Sequence, residues 1–174
     1  DSPSRKLAKE IADPDSKIRH FLAGTLRDKL VRLLTDAAGA KFHVYAALFE
    51  LDDPELVPLL RALKKCAHVV LGNGSVKKKG EDENANAREA LAGCDLHDRM
   101  SAPRALAHNK FLVLCDADKK PQAVWTGSTN WTKTGLCTQA NNAVLVRNTS
   151  LARFYLEQWH ALAAAGAAPP STLY

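Results

Sequence analysis

Four short apolar runs, set between helix-patterned segments, constrain this chain most. Residues 41–49 read Lys-Phe-His-Val-Tyr-Ala-Ala-Leu-Phe, and residues 108–115 read His-Asn-Lys-Phe-Leu-Val-Leu-Cys. The other two are His68-Val69-Val70-Leu71 and Gln122-Ala123-Val124-Trp125-Thr126. Each has the length of a strand, and the first is apolar on both faces, as in a sheet covered by helices above and below. Leu26, Leu30, Leu33, Leu34 and Ala37 recur at three and four, the stripe of a helix that Gly39 is expected to end. Asp53-Pro54-Glu55 starts a second helix, with Leu56, Leu59, Leu60 and Leu63 as its core face and Pro58 bending or delaying it. A short helix near 85–92, a weak strand near 95–98 and a strand over 142–147 follow the same logic. The last helix spans 150–165, with Leu151, Phe154, Tyr155, Trp159 and Leu162 on one face. Helices alternating with buried strands predict an α/β sandwich, a mixed sheet flanked by helices on both faces. Residues 1–23 read as a polar lead-in, of which 1–18 form a lead-in segment or an irregular helix, 24–165 as the domain and 166–174 as a tail.

Composition narrows the function classes. At 174 residues and 18.9 kDa, with 46% apolar and 25% charged residues, the chain is an ordinary globular sequence, not a collagen-like, disordered or disulfide-scaffold one. No apolar run is long enough to cross a bilayer. The chain starts at Asp1 with no initiator Met and no apolar signal core, as expected of a processed chain or a fragment whose start is missing. Residues 1–80 hold 15 basic and 10 acidic side chains and residues 81–174 hold 9 of each, so the whole net charge of +5 lies in the first half. That balance favours phosphate-bearing partners without being a nucleic-acid signature by itself. Cys66, Cys94, Cys115 and Cys137 form no C-x-x-C pair, and no His cluster supplies zinc spacing, so no metal is expected. Four free thiols fit a reducing compartment such as the cytoplasm; two disulfides in three connectivities are the alternative for an exported chain.

Two clusters carry chemistry: His108-Asn109-Lys110 opening one strand and Gly127-Ser128-Thr129-Asn130 closing the next. Strand alternation puts His108 and Lys110 on one face, and a hairpin would bring Ser128 and Asn130 beside them. A Lys charge, directional Asn and Ser donors and an imidazole make a cup suited to a tetrahedral phosphate. These residues resemble the signature of the phospholipase D superfamily, H-x-K with an acid further on and then G-S-x-N. The similarity covers about residues 24–165. The resemblance implies a phospholipase D-like fold and a cofactor-free, metal-independent, two-step phosphodiester reaction. One His attacks phosphorus to give a phosphohistidine, and a His of a second motif protonates the leaving oxygen. Lys110 and Asn130 would hold the non-bridging oxygens, with Ser128 assisting and Gly127, Asp116 and Asn141 in support.

The chain departs from the family pattern in three places. The acid expected at position 115 is Cys115, and Asp116 arrives one place late; one residue of slip reverses a strand face unless a bulge restores it. After G-S-x-N, Asn141 stands where the family often has a carboxylate that orients the histidine. Only one H-x-K is present, so the second motif must come from a homodimer mate about a two-fold axis or from a missing half of the protein. Nucleic acid is the favoured diester; a phospholipid headgroup is the enzyme alternative, and a catalytically degenerate half serving dimerisation or nucleic-acid binding is the non-enzyme one. Lys77-Lys78-Lys79 reads as a solvated loop offset by Glu81-Asp82-Glu83, and His43 and His68 as packed core histidines. Trp131 either walls the site or packs under its loop.

Overall fold

A computed structural model describes residues 2–168, so 169–174 of the expected tail lie outside the described residues. Six strands form one mixed sheet: β1 (His43–Leu48), β2 (Ala67–Gly72), β3 (Asp95–Arg99), β4 (Lys110–Cys115), β5 (Pro121–Gly127) and β6 (Ala143–Val146). Their order is β3-β2-β1-β4-β5-β6. β1, β2 and β3 run parallel, joined by helical crossovers, whereas β4, β5 and β6 form an antiparallel meander that joins β1 antiparallel.

Alternation divides the buried side chains between two cores. Val44, Ala46, Leu48, Val69, Leu71, Leu112 and Trp125 face one layer, which holds α2 (Lys17–Ala40), α3 (Leu56–Ala62), α4 (Ala85–Ala90) and α5 (Lys133–Cys137). Tyr45, Ala47, Val70, Phe111, Val113, Cys115 and Val124 face the other, covered by α6 (Thr149–Ala165) through Ala152, Trp159 and Leu162. The Trp159 indole also donates to the Ala46 carbonyl at 2.9 Å, satisfying its one polar atom inside the core. Helices therefore do cover both faces. On α6, however, Phe154 is 64% exposed and Leu151 36%, so the inward stripe runs through Ala152, Tyr155 and Trp159 rather than through those two.

The N-terminal segment is more structured than its polarity suggests. α1 (Pro3–Ala12) packs on α2, and Ser16 caps α2 by accepting from the Ile18 and Arg19 amides. Arg19 is fully buried, with Nη2 on Asp53 at 2.8 Å, Nε on Glu55 at 2.9 Å and Nη1 on the Ile11 carbonyl. α2 starts eight residues before the expected Thr25 and is broken at Gly24, where φ is +50° and ψ −146°. Only glycine takes that backbone without strain. Gly39 does not end the helix; α2 runs to Ala40 and closes at Lys41, itself left-handed at φ 55°. Asp53 Oδ1 accepts from the Glu55 and Leu56 amides at 3.0 Å, the start expected for α3, and Pro58 sits in its first turn, where an amide hydrogen is dispensable.

Candidate active site

The sheet gathers the two clusters at one edge. Lys110 opens β4 opposite Leu48, the last residue of β1, and Gly127 ends β5 opposite Ala143, the first of β6. The segments leaving β1 and β5 and entering β4 and β6 thus meet at the same end of the sheet, with Phe49, Glu50, His108, Lys110, Ser128, Asn130 and Asn141 on them. Gly127 is required by close approach: a Cβ there would lie 2.3 Å from the Asn142 carbonyl oxygen and 2.7 Å from the Ala143 Cα.

Strand alternation does not place His108, because β4 begins only at Lys110 and His108 lies on the approach to it. His108 is exposed, its ring edge-on to Phe49 with centroids 4.7 Å apart. Lys110 is buried; its ammonium donates to the His108 carbonyl at 3.3 Å and stands 5.0 Å over the Phe49 ring. Burial lowers the Lys110 pKa, which the charge of Glu50 opposes. Although exposed, the His108 ring is partly desolvated, which lowers its pKa, and the Lys110 charge adds to the shift, so the imidazole is neutral with a free lone pair at neutral pH. A cleft of about 370 Å³ opens beside this pair, lined by His108, Lys110, Thr126, Gly127, Phe154 and Tyr155 among others.

Asn130 points to a residue that the sequence reading missed. Its Nδ2 donates to Glu50 Oε2 at 2.7 Å, and its Oδ1 is buried with no partner. Burial raises the Glu50 pKa and Glu83 adds to it, against the pull of Lys110. Ser128 Oγ donates to Asn141 Oδ1 at 3.2 Å and accepts from the Asn142 amide at 3.0 Å, while Asn141 Nδ2 donates to the Gly135 carbonyl. Asn84, also missed, staples the neighbouring loops, donating to the Phe49 and Gly72 carbonyls and accepting from the Leu51 amide. Trp131 is fully buried, and its backbone joins Glu50, Asp52 and Asp53, so it packs under the loop.

Asp116 is elsewhere. The sheet register does shift between Leu114 and Cys115, but Asp116 lies in the β4–β5 turn, accepting from the Asp118 and Lys120 amides and from Gln122 Nε2. Six residues along a strand put it about 20 Å from Lys110, at the opposite edge of the sheet. That far edge also carries a relay outside the cleft: Asp95 Oδ2 to His68 Nδ1 at 2.6 Å, and His68 Nε2 to His43 Nδ1 at 2.9 Å. Cys94, Cys115 and Cys137 are buried and Cys66 half-buried, and all four are unpaired. Among the described residues, no group of three or more His, Cys, Asp and Glu could hold a metal ion, and no helix could cross a membrane.

A mixed six-stranded sheet between helical layers, with H-x-K and G-S-x-N converging at one edge, defines a phospholipase D-like domain. The solved structures agree. A phospholipase D family member, Nuc from Salmonella typhimurium, is similar at 26% identity and a TM-score of 0.57, over 75% of this chain and 83% of that one. NucT from Helicobacter pylori is similar at 14% identity and TM-score 0.56, over 78% of this chain and 87% of that one. Polyphosphate kinase from Porphyromonas gingivalis is similar at 18% identity and TM-score 0.59, over 83% of this chain but 25% of that one. The last two likenesses are of fold alone. No family model matches the sequence, and no curated protein does.

Proposed function

We propose that this domain hydrolyses or transfers phosphodiesters through His108, without a metal, as one half of a two-motif site. The observation that supports the reading best is that β4 and β5 bring His108 and Lys110 to the same end of the sheet as Ser128 and Asn130, where a cleft is lined by His108, Lys110 and Gly127. The neutral His108 imidazole attacks phosphorus; the bond to the leaving oxygen breaks, and that oxygen takes a proton from the histidine of a second motif. Water, activated by the same second histidine, then breaks the phosphorus–nitrogen bond. Lys110 and Asn130 hold the non-bridging oxygens, Ser128 donates beside them, and such fixed donors supply the largest share of the rate. The catalytic unit is residues 24–165 together with the segment before them, because Arg19 is buried against Asp53 and Glu55, and the second motif comes from a second copy or from another part of a longer protein.

Nucleic acid is the preferred substrate. Lys77, Lys78 and Lys79 follow β2 at the site's edge of the sheet, and the Arg104 amide donates to the Val76 carbonyl, tying their loop to the segment that leads into His108. Asp82 is engaged by Arg88, while Glu81 and Glu83 accept from the backbone amides of their own loop. A phospholipid headgroup is the second reading: Phe21 is 85% exposed and Ile18 46%, an apolar patch that the sequence did not reveal.

The test is hydrolysis of bis(p-nitrophenyl) phosphate in excess chelator, over a range of protein concentrations. Activity should survive the chelator, vanish in His108→Ala and fall about 10²-fold in Asn130→Ala. A rate that rises faster than linearly with concentration identifies a site shared by two copies. Salt-sensitive DNA binding supports the nucleic-acid substrate, and activation by vesicles the lipid one. Activity that His108→Ala retains would overturn the reading.

A further inference from the structure

The contact between Asn130 and Glu50 poses a chemical conflict. An ionised carboxylate can only accept, so the Asn130 amide has to turn its nitrogen toward Glu50, as it does at 2.7 Å. That leaves Asn130 Oδ1 buried without a donor and commits one of the two amide hydrogens that a bound phosphate needs. A diester anion arriving between Lys110 and Asn130 would also meet the Glu50 charge. A protonated Glu50 removes all three problems: its hydroxyl donates to Oδ1 once the amide turns over, both Nδ2 hydrogens are released from Glu50 at the place Oδ1 now occupies, and the repulsion ends.

We propose that Glu50 is the positioning residue and proton switch of the cup: ionised, it holds the Asn130 amide away from substrate, and it takes up one proton when a phosphodiester anion binds. The inference rests on reading Lys110 and Asn130 as the phosphate cup. The surroundings point the same way. Burial holds the Glu50 carboxyl above its ordinary range, Glu83 from the loop after β2 and Asp52 beyond β1 add to that, and Lys110 on β4 opposes it. His108 packs edge-on to Phe49, the ring that Lys110 overlies, and Lys133 pairs with Asp52. A diester anion displaces this balance toward the protonated form. Glu50 brings an acid to a site whose Asn141 pairs with Ser128.

Two measurements on the whole chain test this. In the free protein, the side-chain amide resonance of Asn130, assigned through Asn130→Ser, should titrate with a midpoint above the ordinary glutamate value of 4.5 and should not titrate in Glu50→Gln. Dimethyl phosphate, whose charge is constant over this range, should bind with an affinity that falls up to tenfold per pH unit above that midpoint. In Glu50→Gln that component should disappear and leave only the contribution of His108. An amide that is silent, or that titrates equally in Glu50→Gln, overturns the proposal, as does an identical pH profile for the two proteins. Dimethyl phosphate that binds neither protein sinks the cup reading and the uptake step with it. Correct binding without hydrolysis of any diester overturns only the proposed hydrolytic function.

Discussion

At the scale of single residues, the candidate site was legible where spacing encodes it and illegible where the fold brings distant residues together. His108, Lys110, Ser128 and Asn130 stand out because two short motifs each confine their donors to three or four positions. Glu50 did not, since it ends an apolar run just before Asp52 and Asp53 and reads as one more acid near a helix start. Its role depends on Asn130, 80 residues away. Asp116 failed for the opposite reason: a motif suggested a place for it, but the hairpin turn claims its carboxylate. Gly127 gives the plainest residue-scale prediction. A methyl group at Gly127→Ala must displace the Asn142 carbonyl that lies 2.3 Å from the Cβ position. Overpacking of this kind costs about 1–3 kcal/mol. Thermal unfolding should show that loss, and the activity proposed for the site should fall with it, because Ser128 is the next residue.

At the scale of elements, apolar length and alternation found the strands and most helices, while the N-terminal residues read only as a lead-in or an irregular helix, with α2 expected eight residues late. α1 carries a short stripe, Leu7 and Ile11 one turn apart with Ile11 buried, but the segment is so charged and so brief that its overall polarity masks it, and the start of α2 is as polar. Two arginines of α2 anchor this region, Arg19 also donating to the Ile11 carbonyl of α1. Arg19 and Arg27, on either side of the Gly24 break, both bond Glu55, and Arg19 alone bonds Asp53. Hydrogen bonds from Arg27 and Arg19 keep the Glu55 carboxyl below its ordinary range although burial works to raise it. Removing Arg19 leaves Asp53 buried and unpaired, the situation in which a buried pair costs most to break, about 3–5 kcal/mol. Arg19→Ala should lower the urea midpoint accordingly, whereas Arg19→Met with Asp53→Leu should recover much of the loss. A midpoint unchanged in Arg19→Ala would mean that α1 and the first turns of α2 contribute nothing to the fold.

At the scale of the molecule, acid sensitivity follows from the histidines. Burial is the leading cause that lowers the pKa values of His43, His68 and His108. In each case the unfolded chain binds the proton first, so stability is full above the ordinary value of 6.5 and drains away as pH falls toward the lower folded values. Glu50, shifted upward, acts in the opposite sense, one group against three. Unfolding free energies in urea should therefore be smaller at pH 5.5 than at pH 7.5; equal values would show that these rings titrate alike folded and unfolded. The sheet carries one more consequence. Of the residues at the candidate site, only Lys110 and Gly127 belong to strands, and both are terminal; Glu50, His108, Ser128, Asn130 and Asn141 lie just beyond them. The ladder is complete without their side chains, so a lineage can rewrite its chemistry at this edge while inheriting the scaffold unchanged. An architecture shared with a polyphosphate kinase shows how widely such a frame can be reused.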